Sequence, residues 1–233
     1  LINTTETFSV RYTLDEYQYT LYYYDQAGNL VKTVPPQGVN PLPEETSGSD
    51  PIISDVDDFR MAKSGSSYTK PIHDYQTNYR YNTLNQLIEQ FTPDGGNTQF
   101  WYDALGRIVL SQNAKQLGNR YYSYTLYDGL GRIVESGKCE LSSDPVLGDL
   151  ITGSFLVTNI HSRAEVSHTL YDKPYSIISG SNQQEYLQNR VSATMYYPSL
   201  SQTITEIDDP ANNSGSFGYG VPEQAYLYDY DVL

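Results

Sequence analysis

One eight-residue phrase recurs along this chain and limits what the chain can fold into. Three copies stand close together: Tyr81-Asn82-Thr83-Leu84-Asn85-Gln86-Leu87-Ile88, Tyr102-Asp103-Ala104-Leu105-Gly106-Arg107-Ile108-Val109 and Tyr127-Asp128-Gly129-Leu130-Gly131-Arg132-Ile133-Val134. A fourth lies upstream as Tyr24-Asp25-Gln26-Ala27-Gly28-Asn29-Leu30-Val31. A phrase repeated in phase marks a supersecondary unit used several times over, so the expected architecture is an array rather than a single irregular core.

Each position of the phrase has a physical reason. The residues before it alternate or run aromatic, as in Gln99-Phe100-Trp101-Tyr102 and Tyr124-Thr125-Leu126-Tyr127, which suits a pleated surface and predicts an incoming strand. The Asp that follows can accept a hydrogen bond from a backbone N–H two residues on, forming an Asx-turn. The Gly three residues after the Asp takes positive φ at no steric cost. Together these predict a type I turn closed by a left-handed residue, a three-residue hairpin loop. Asn85 stands in the glycine position of its copy, and Asn is the other residue that adopts this conformation readily. The outgoing strand begins with the aliphatic pair. A single Asp-x-x-Gly is found at ordinary hairpins everywhere; four copies, each with Tyr before and aliphatics after, specify repeated hairpins.

Tyr81, Tyr102 and Tyr127 are 21 and 25 residues apart, room for two short strands and two turns per copy. Two weaker copies extend the series. His168 to Ile178 carries Tyr171-Asp172 in register, but Tyr175 occupies the glycine position, so another turn geometry is expected there. Tyr226 to Leu233 repeats the approach strand and the opening Tyr230-Asp231, then stops before a glycine. Because a repeat cannot bury its faces alone, this half-phrase leads us to expect a fragment of a longer protein.

These residues resemble the YD repeat of the RHS-repeat family, whose pattern runs Tyr-Asp-x-x-Gly-Arg-Leu with a further Gly some residues later. That later glycine is matched by Gly38 and Gly95, each 14 residues beyond its tyrosine, and is displaced or missing in the copies at Tyr102 and Tyr127. Clear copies cover residues 17–38 and 77–137; the rest matches poorly. The family includes bacterial RHS proteins, cocoon-forming components of insecticidal Tc toxin complexes and animal teneurins. The resemblance implies an all-β fold of antiparallel hairpins in a twisted or spiralling open sheet, part of a hollow shell. It also implies a secreted or cell-surface bacterial location.

Composition narrows the partners. With 14 Lys+Arg against 28 Asp+Glu, the net charge is −14, which lacks the basic footprint expected of a nucleic-acid or anionic-membrane binder. No stretch reaches the length of a membrane span. The 24 tyrosines far outnumber 6 phenylalanines and one tryptophan, favouring half-buried sheet faces, since Tyr joins apolar area to a polar end. The single Cys139 excludes an internal disulfide framework and reads as a small packed side chain.

Along the chain, alternation predicts strands over 7–14 and 17–24, continuing from Leu30 to Val34, with further strands at 191–197 and 201–207. The whole, 1–233, is expected to be one repeat domain, interrupted by irregular Pro-, Gly-, Ser- and acid-rich insertions at about 35–70, 138–153 and 208–222.

The chemistry-bearing candidates all have plainer explanations. Asp55-Val56-Asp57-Asp58 offers hard oxygen ligands, yet it lacks the Gly and distal Glu of an EF-hand loop and reads as a solvated acidic loop. His73, His161 and His168 share no metal-ligand spacing and read as ordinary polar positions. Asp25, Asp103 and Asp128 recur, as catalytic acids do not, and are explained as turn caps. Arg107 and Arg132 are expected to pair with acids of adjacent hairpins. No catalytic residue, metal site or cofactor is expected. Two readings follow: a non-catalytic wall segment that, as the resemblance implies, helps the remaining repeats of a parent chain enclose a C-terminal cargo or toxin polypeptide; or a module binding carbohydrate or a cell surface through Tyr-rich faces. A wall places tyrosines between strands and inward, whereas a binding face leaves an exposed aromatic row.

Overall fold

The computed structural model describes residues 8–11, 17–41, 61, 71–174, 184, 186–200 and 223–228. Among these residues eleven strands carry the fold: β1 (Leu21–Tyr24), β2 (Leu30–Val34), β3 (Thr77–Tyr81), β4 (Leu87–Thr92), β5 (Gly96–Tyr102), β6 (Ile108–Asn113), β7 (Tyr121–Tyr127), β8 (Ile133–Leu141), β9 (Ile160–Tyr171), β10 (Val191–Leu200) and β11 (Gln224–Leu227). Among the described residues two short helices, α1 (Ala114–Leu117) and α2 (Gly153–Asn159), lie between strands. The protein is all-β, built of antiparallel hairpins.

The chain comprises two compact units, Leu1–Thr77 and Asn78–Leu233. In the first, β1 and β2 form the hairpin of the upstream phrase, pairing Tyr24 with Leu30. A 3-10 turn at Pro36–Gly38 follows. The Gly38 carbonyl accepts from the Asp74 N–H at 2.8 Å, and the Asn40 N–H donates to His73 Nδ1 at 3.1 Å. A Cβ on Gly38 would lie 2.0 Å from the Asp74 carbonyl oxygen, so no other residue fits at this second glycine of the repeat. The expected strand over 7–14 is not seen in its described part: residues 8–11 are outside any strand, and Phe8 and Val10 are exposed. Alternation supplies a face but no hydrogen-bonding partner. The strand expected from Tyr17 begins at Leu21.

In the second unit the strands from β3 to β11 neighbour one another in sequence order, each antiparallel to the next, as an open meander. Its core lies on one face. Trp101, Leu110, Tyr122, Tyr124, Leu126, Cys139, Leu141 and Ile160 project from β5 to β9 onto Ile151 and Leu156. Val166, Leu170, Ala193, Met195 and Tyr197 form a second cluster from β9 and β10. Each Leu, Ile, Val or Met among them contributes about 1.5–3 kcal/mol by leaving water. Trp101 and Tyr122 meet edge to face at 5.7 Å between ring centres, a geometry suited to the aromatic quadrupole.

The irregular stretch expected from 138 begins only after Leu141, because β8 runs on through Gly137-Lys138-Cys139. Gly137 permits this: a Cβ there would sit 3.0 Å from the Ala164 carbonyl oxygen, where β9 bulges with Glu165 at φ 52°. The segment after Leu141 folds onto the sheet. Trp101 Nε1 donates to the Val146 carbonyl at 3.0 Å, Tyr122 donates to Asp144 at 2.9 Å, and the Ile151 N–H donates to the Tyr102 carbonyl at 2.8 Å. Thr152 then caps α2 by accepting from the Phe155 N–H. The strand expected at 191–197 extends to Leu200; the one expected at 201–207, the 208–222 loop, Asp55, Asp57, Asp58, Tyr230 and Asp231 lie outside the described residues.

Candidate functional site

Among the described residues the repeated phrase builds the most regular array of polar side chains. In each copy the glycine-position N–H donates back to the first carbonyl: Gly28 to Asp25, Asn85 to Asn82, Gly106 to Asp103 and Gly131 to Asp128, at 3.0–3.1 Å. The Asp or Asn N–H then donates to the carbonyl four residues on. Gly28, Gly106 and Gly131 have φ of 79–85°, and Asn85 has φ 58°, so the turn is the expected type I turn with a left-handed residue. Past it the ladder slips by one residue: Tyr81 pairs with Leu87 but Arg80 with Glu89, and Tyr102 pairs with Ile108 but Trp101 with Leu110. The skipped residues, Ile88 and Val109, are buried. The aliphatic pair thus divides its labour, one residue pairing with Tyr and the next entering the interior.

The carboxylates are satisfied within the turn. Asp103 Oδ1 accepts from the Leu105 and Arg107 N–H groups at 2.9 Å, and its Oδ2 accepts from Arg107 Nε at 2.7 Å. Asp128 repeats the pattern with Leu130 and Arg132. Burial pushes both carboxyls up, but the bonds from Arg107 and Arg132 outweigh it and hold each below the ordinary carboxylate range. In the upstream copy Asn29 does the work of arginine, donating to both oxygens of Asp25 and lowering its pKa. Asn82 and Gln86 close their turn as an amide pair, with Asn82 Nδ2 donating to Gln86 Oε1 at 2.7 Å.

In three copies the phrase tyrosine ties its turn to the copy before. Tyr102 donates its hydroxyl to the Leu87 carbonyl at 2.7 Å, Tyr127 to Ile108 at 2.9 Å and Tyr171 to Ile133 at 3.0 Å. The acceptor is the same phrase position every time. The Arg107 guanidinium lies 4.3 Å from the Tyr127 ring centre, and Arg132 lies 4.2 Å from that of Tyr171. Tyr is required here rather than Phe because the ring receives one group and the hydroxyl satisfies another. Arg132 also reaches the next copy, meeting Asp172 Oδ2 at 2.7 Å; that bond, opposed by burial, raises the pKa of Arg132 and lowers that of Asp172. Arg107 pairs instead with Asp103 of its own turn.

The copy at Tyr171-Asp172 is interrupted rather than degenerate. The Asp172 N–H donates to the Arg190 carbonyl at 3.1 Å, as Asp103 does to Arg107, and Asn189 has φ 58°. Tyr171 pairs with Val191, as Tyr102 does with Ile108. Thus Asn189 occupies the glycine position, with residues 173–186 standing in sequence between Asp172 and Leu187; Tyr175, expected at that position, lies outside the described residues. Read without residues 173–186, Tyr171-Asp172-Leu187-Gln188-Asn189-Arg190-Val191 is the phrase again. Asp172 departs from its counterparts in having φ 65°. The signal available in the sequence was Asn189-Arg190-Val191, whose likeness to Gly106-Arg107-Ile108 is masked by distance.

A second polar group is buried beneath β7, β8 and β9. Tyr124 donates its hydroxyl to Glu135 Oε1, Arg163 Nη1 lies 2.8 Å from the same oxygen, and His168 Nδ1 is 3.5 Å from Glu135 Oε2. All four side chains are 5% exposed or less, so His168 is not the ordinary polar position expected of it. Cys139, the cross-strand partner of Arg163, has its thiol pushed up to about 12, by burial first. Such a thiol is not a nucleophile near neutral pH. Among the described residues no three His, Cys, Asp or Glu side chains converge as a metal site, and no helix is long and apolar enough to cross a membrane.

The chain matches no protein-family model and no curated protein.

Proposed function

We propose that the chain is a non-catalytic segment of a YD-repeat wall that helps enclose a C-terminal cargo or toxin polypeptide in a secreted or cell-surface bacterial protein. The observation that carries this reading is the tyrosine ladder, in which Tyr102, Tyr127 and Tyr171 each donate to the carbonyl of the preceding turn. Such a ladder makes consecutive hairpins into one continuous surface, whose use is mechanical. Its carboxylates and guanidiniums neutralise one another inside the turns, which leaves them no reacting group to act on. The test is limited proteolysis with mass spectrometry on the parent gene product expressed to its natural stop codon. A severed C-terminal piece that stays protected and co-purifies with the repeats supports enclosure; free digestion of everything beyond the repeats refutes it.

A second reading has one observation in its favour. Tyr17, Tyr19, Tyr22 and Tyr24 are 58–85% exposed, and the Tyr17 and Tyr19 rings lie 6.5 Å apart, the kind of aromatic surface on which sugar rings stack. Binding of a glycan to the chain, abolished in Tyr17→Ala/Tyr19→Ala, would favour it; a glycan array with no ligand would dismiss it.

A further inference from the structure

The face that carries the core changes character toward the start of the second unit. Along β5 the side chains of Asn97, Gln99 and Trp101 share one side, since alternate residues of a strand point the same way. Cross-strand pairing extends that side over β3 and β4. Asn78 pairs with Phe91 and Phe91 with Asn97, while Arg80 pairs with Glu89 and Glu89 with Gln99. Two rows of three result: an aromatic ring between two amides, and a carboxylate between a guanidinium and an amide. Where Trp101 and Leu110 stand, the same face is apolar and packs with Ile151 and Leu156. On β3 and β4 it is polar, and its one ring, Phe91, is 46% exposed. A pocket of about 420 Å³ opens here, lined by Asn78, Tyr79, Arg80, Glu89, Phe91 and Asn97. That size falls within the roughly 300–1,000 Å³ usual for small-molecule sites.

Glu89 is the hub of the pocket. Its Oε1 accepts from Asn97 Nδ2 at 2.8 Å and from Gln99 Nε2 at 3.2 Å, and its Oε2 accepts from Arg80 Nη1 at 3.2 Å. The carboxylate is therefore matched in place by a guanidinium, and the pocket favours neither a cation nor an anion. Arg80, its side chain 65% exposed, spends Nη1 on Glu89 and has further N–H donors to offer. Asn97 Oδ1, in contrast, is shut off from water without a hydrogen-bond partner. Folded proteins seldom leave such an acceptor unfilled.

We propose that this pocket binds a neutral sugar ring. The lining asks for a guest with an apolar face to lie on Phe91 and, at its edge, groups that both donate and accept. A hydroxyl does both: it receives from Arg80, and it gives its hydrogen to Asn97 Oδ1 after a small turn of that amide. A pyranose joins a C–H face to a ring of hydroxyls. A wholly apolar guest leaves Asn97 unanswered, and an ionic one meets a pair already balanced. The site uses residues of the second unit and rests neither on the enclosure reading nor on stacking at Tyr17 and Tyr19.

The test is a nuclear magnetic resonance titration of the isotope-labelled 233-residue chain with methyl glucoside, methyl galactoside, methyl mannoside and N-acetylglucosamine, with indole as the hydroxyl-free control. The side-chain amide signals of Asn97 and Gln99 report on the pocket. At least one sugar should shift them saturably, with a dissociation constant in the millimolar range. That constant should rise roughly tenfold in Phe91→Leu and in Asn97→Ala, and stay unchanged in Tyr17→Ala/Tyr19→Ala. Far-UV circular dichroism checks that each variant folds; Arg80→Met, at an exposed side chain, should weaken binding severalfold and serves where the others do not fold. Failure of every sugar to bind overturns the proposal, as does indole binding as tightly as the best sugar. Binding lost in Tyr17→Ala/Tyr19→Ala but unchanged in Phe91→Leu also overturns it, and places the sugar on those tyrosines instead.

Discussion

Replacing Tyr127 and Arg107, singly and together, tests whether the turns are coupled through the tyrosine or merely lie side by side. Tyr127→Leu removes the 2.9 Å bond to the Ile108 carbonyl and the ring beneath Arg107. The lost hydrogen bond is worth about 0.5–1.5 kcal/mol and the cation–π contact about 0.5–1 kcal/mol at a partly exposed site. The single variant should therefore lose roughly 1–2.5 kcal/mol. Arg107→Met removes the same cation–π contact together with the ion pair to Asp103, the latter contributing about 0.2–1 kcal/mol with Arg107 28% exposed. Because the cation–π contact is counted in both singles, the double variant should be less damaging than their sum by about 0.5–1 kcal/mol. Tyr127→Phe keeps the ring and should lose only the hydroxyl bond, leaving that coupling intact. Urea denaturation followed by tyrosine fluorescence and far-UV circular dichroism gives the four free energies. Strict additivity, within about 0.3 kcal/mol, would refute the claim that one copy's arginine rests on the next copy's ring.

Other consequences follow from the turns and the buried cluster. Gly131→Val should cost about 1–2 kcal/mol or more, since Gly131 has φ 82° and the only atom near a new Cβ is Arg107 Nη1 at 3.6 Å, leaving backbone strain as the cause; an unchanged melting temperature would contradict the turn assignment. Asp103, Asp128 and Asp172 all have depressed pKa values, so their contribution is present above the unfolded carboxylate value of about 3.9 and is lost as pH falls through the lower folded values. The urea midpoint should accordingly fall more steeply below that pH in the wild type than in Asp103→Asn/Asp128→Asn. Deleting residues 173–186 restores the spacing of the phrase and should give a folded chain whose melting temperature is not lowered; loss of the cooperative transition would show that the inserted residues hold β9 to β10. Arg163→Met should cost about 3–5 kcal/mol by stranding the Glu135 carboxylate beneath the sheet, and Glu135→Leu added to it should restore part of that loss, as measured by the same denaturation.

The hairpin was legible because its determinants are local. Asp128 caps its own turn and Gly131 supplies its own left-handed residue, so eight consecutive residues specify the geometry without reference to the rest of the chain. Asn85 was legible for the same reason. The tyrosine's second task was hidden, because its acceptors, Leu87, Ile108 and Ile133, belong to the preceding copy. Asn189 was missed since the insertion puts it far from Asp172 in sequence while the strands bring the two together. Glu135, Arg163 and His168 are each unremarkable alone, and a charged residue in a strand reads as solvent-facing. Only pairing registers such as Glu135 opposite His168, and Cys139 opposite Arg163, place them on one inward face. The strand expected over 7–14 failed in the opposite direction: its alternation is clean, but residues 8–11 have no ladder.

Residue-resolved amide hydrogen exchange bears most directly on the account, in which one unit is repeated even across an interruption. The N–H groups of Asp103, Asp128 and Asp172 donate to the carbonyls of Arg107, Arg132 and Arg190. Comparable protection at all three is the predicted result, because each closes the same turn. Protection at Asp103 and Asp128 with free exchange at Asp172 would contradict it, reducing the array to isolated hairpins with an ordinary loop between Tyr171 and Val191.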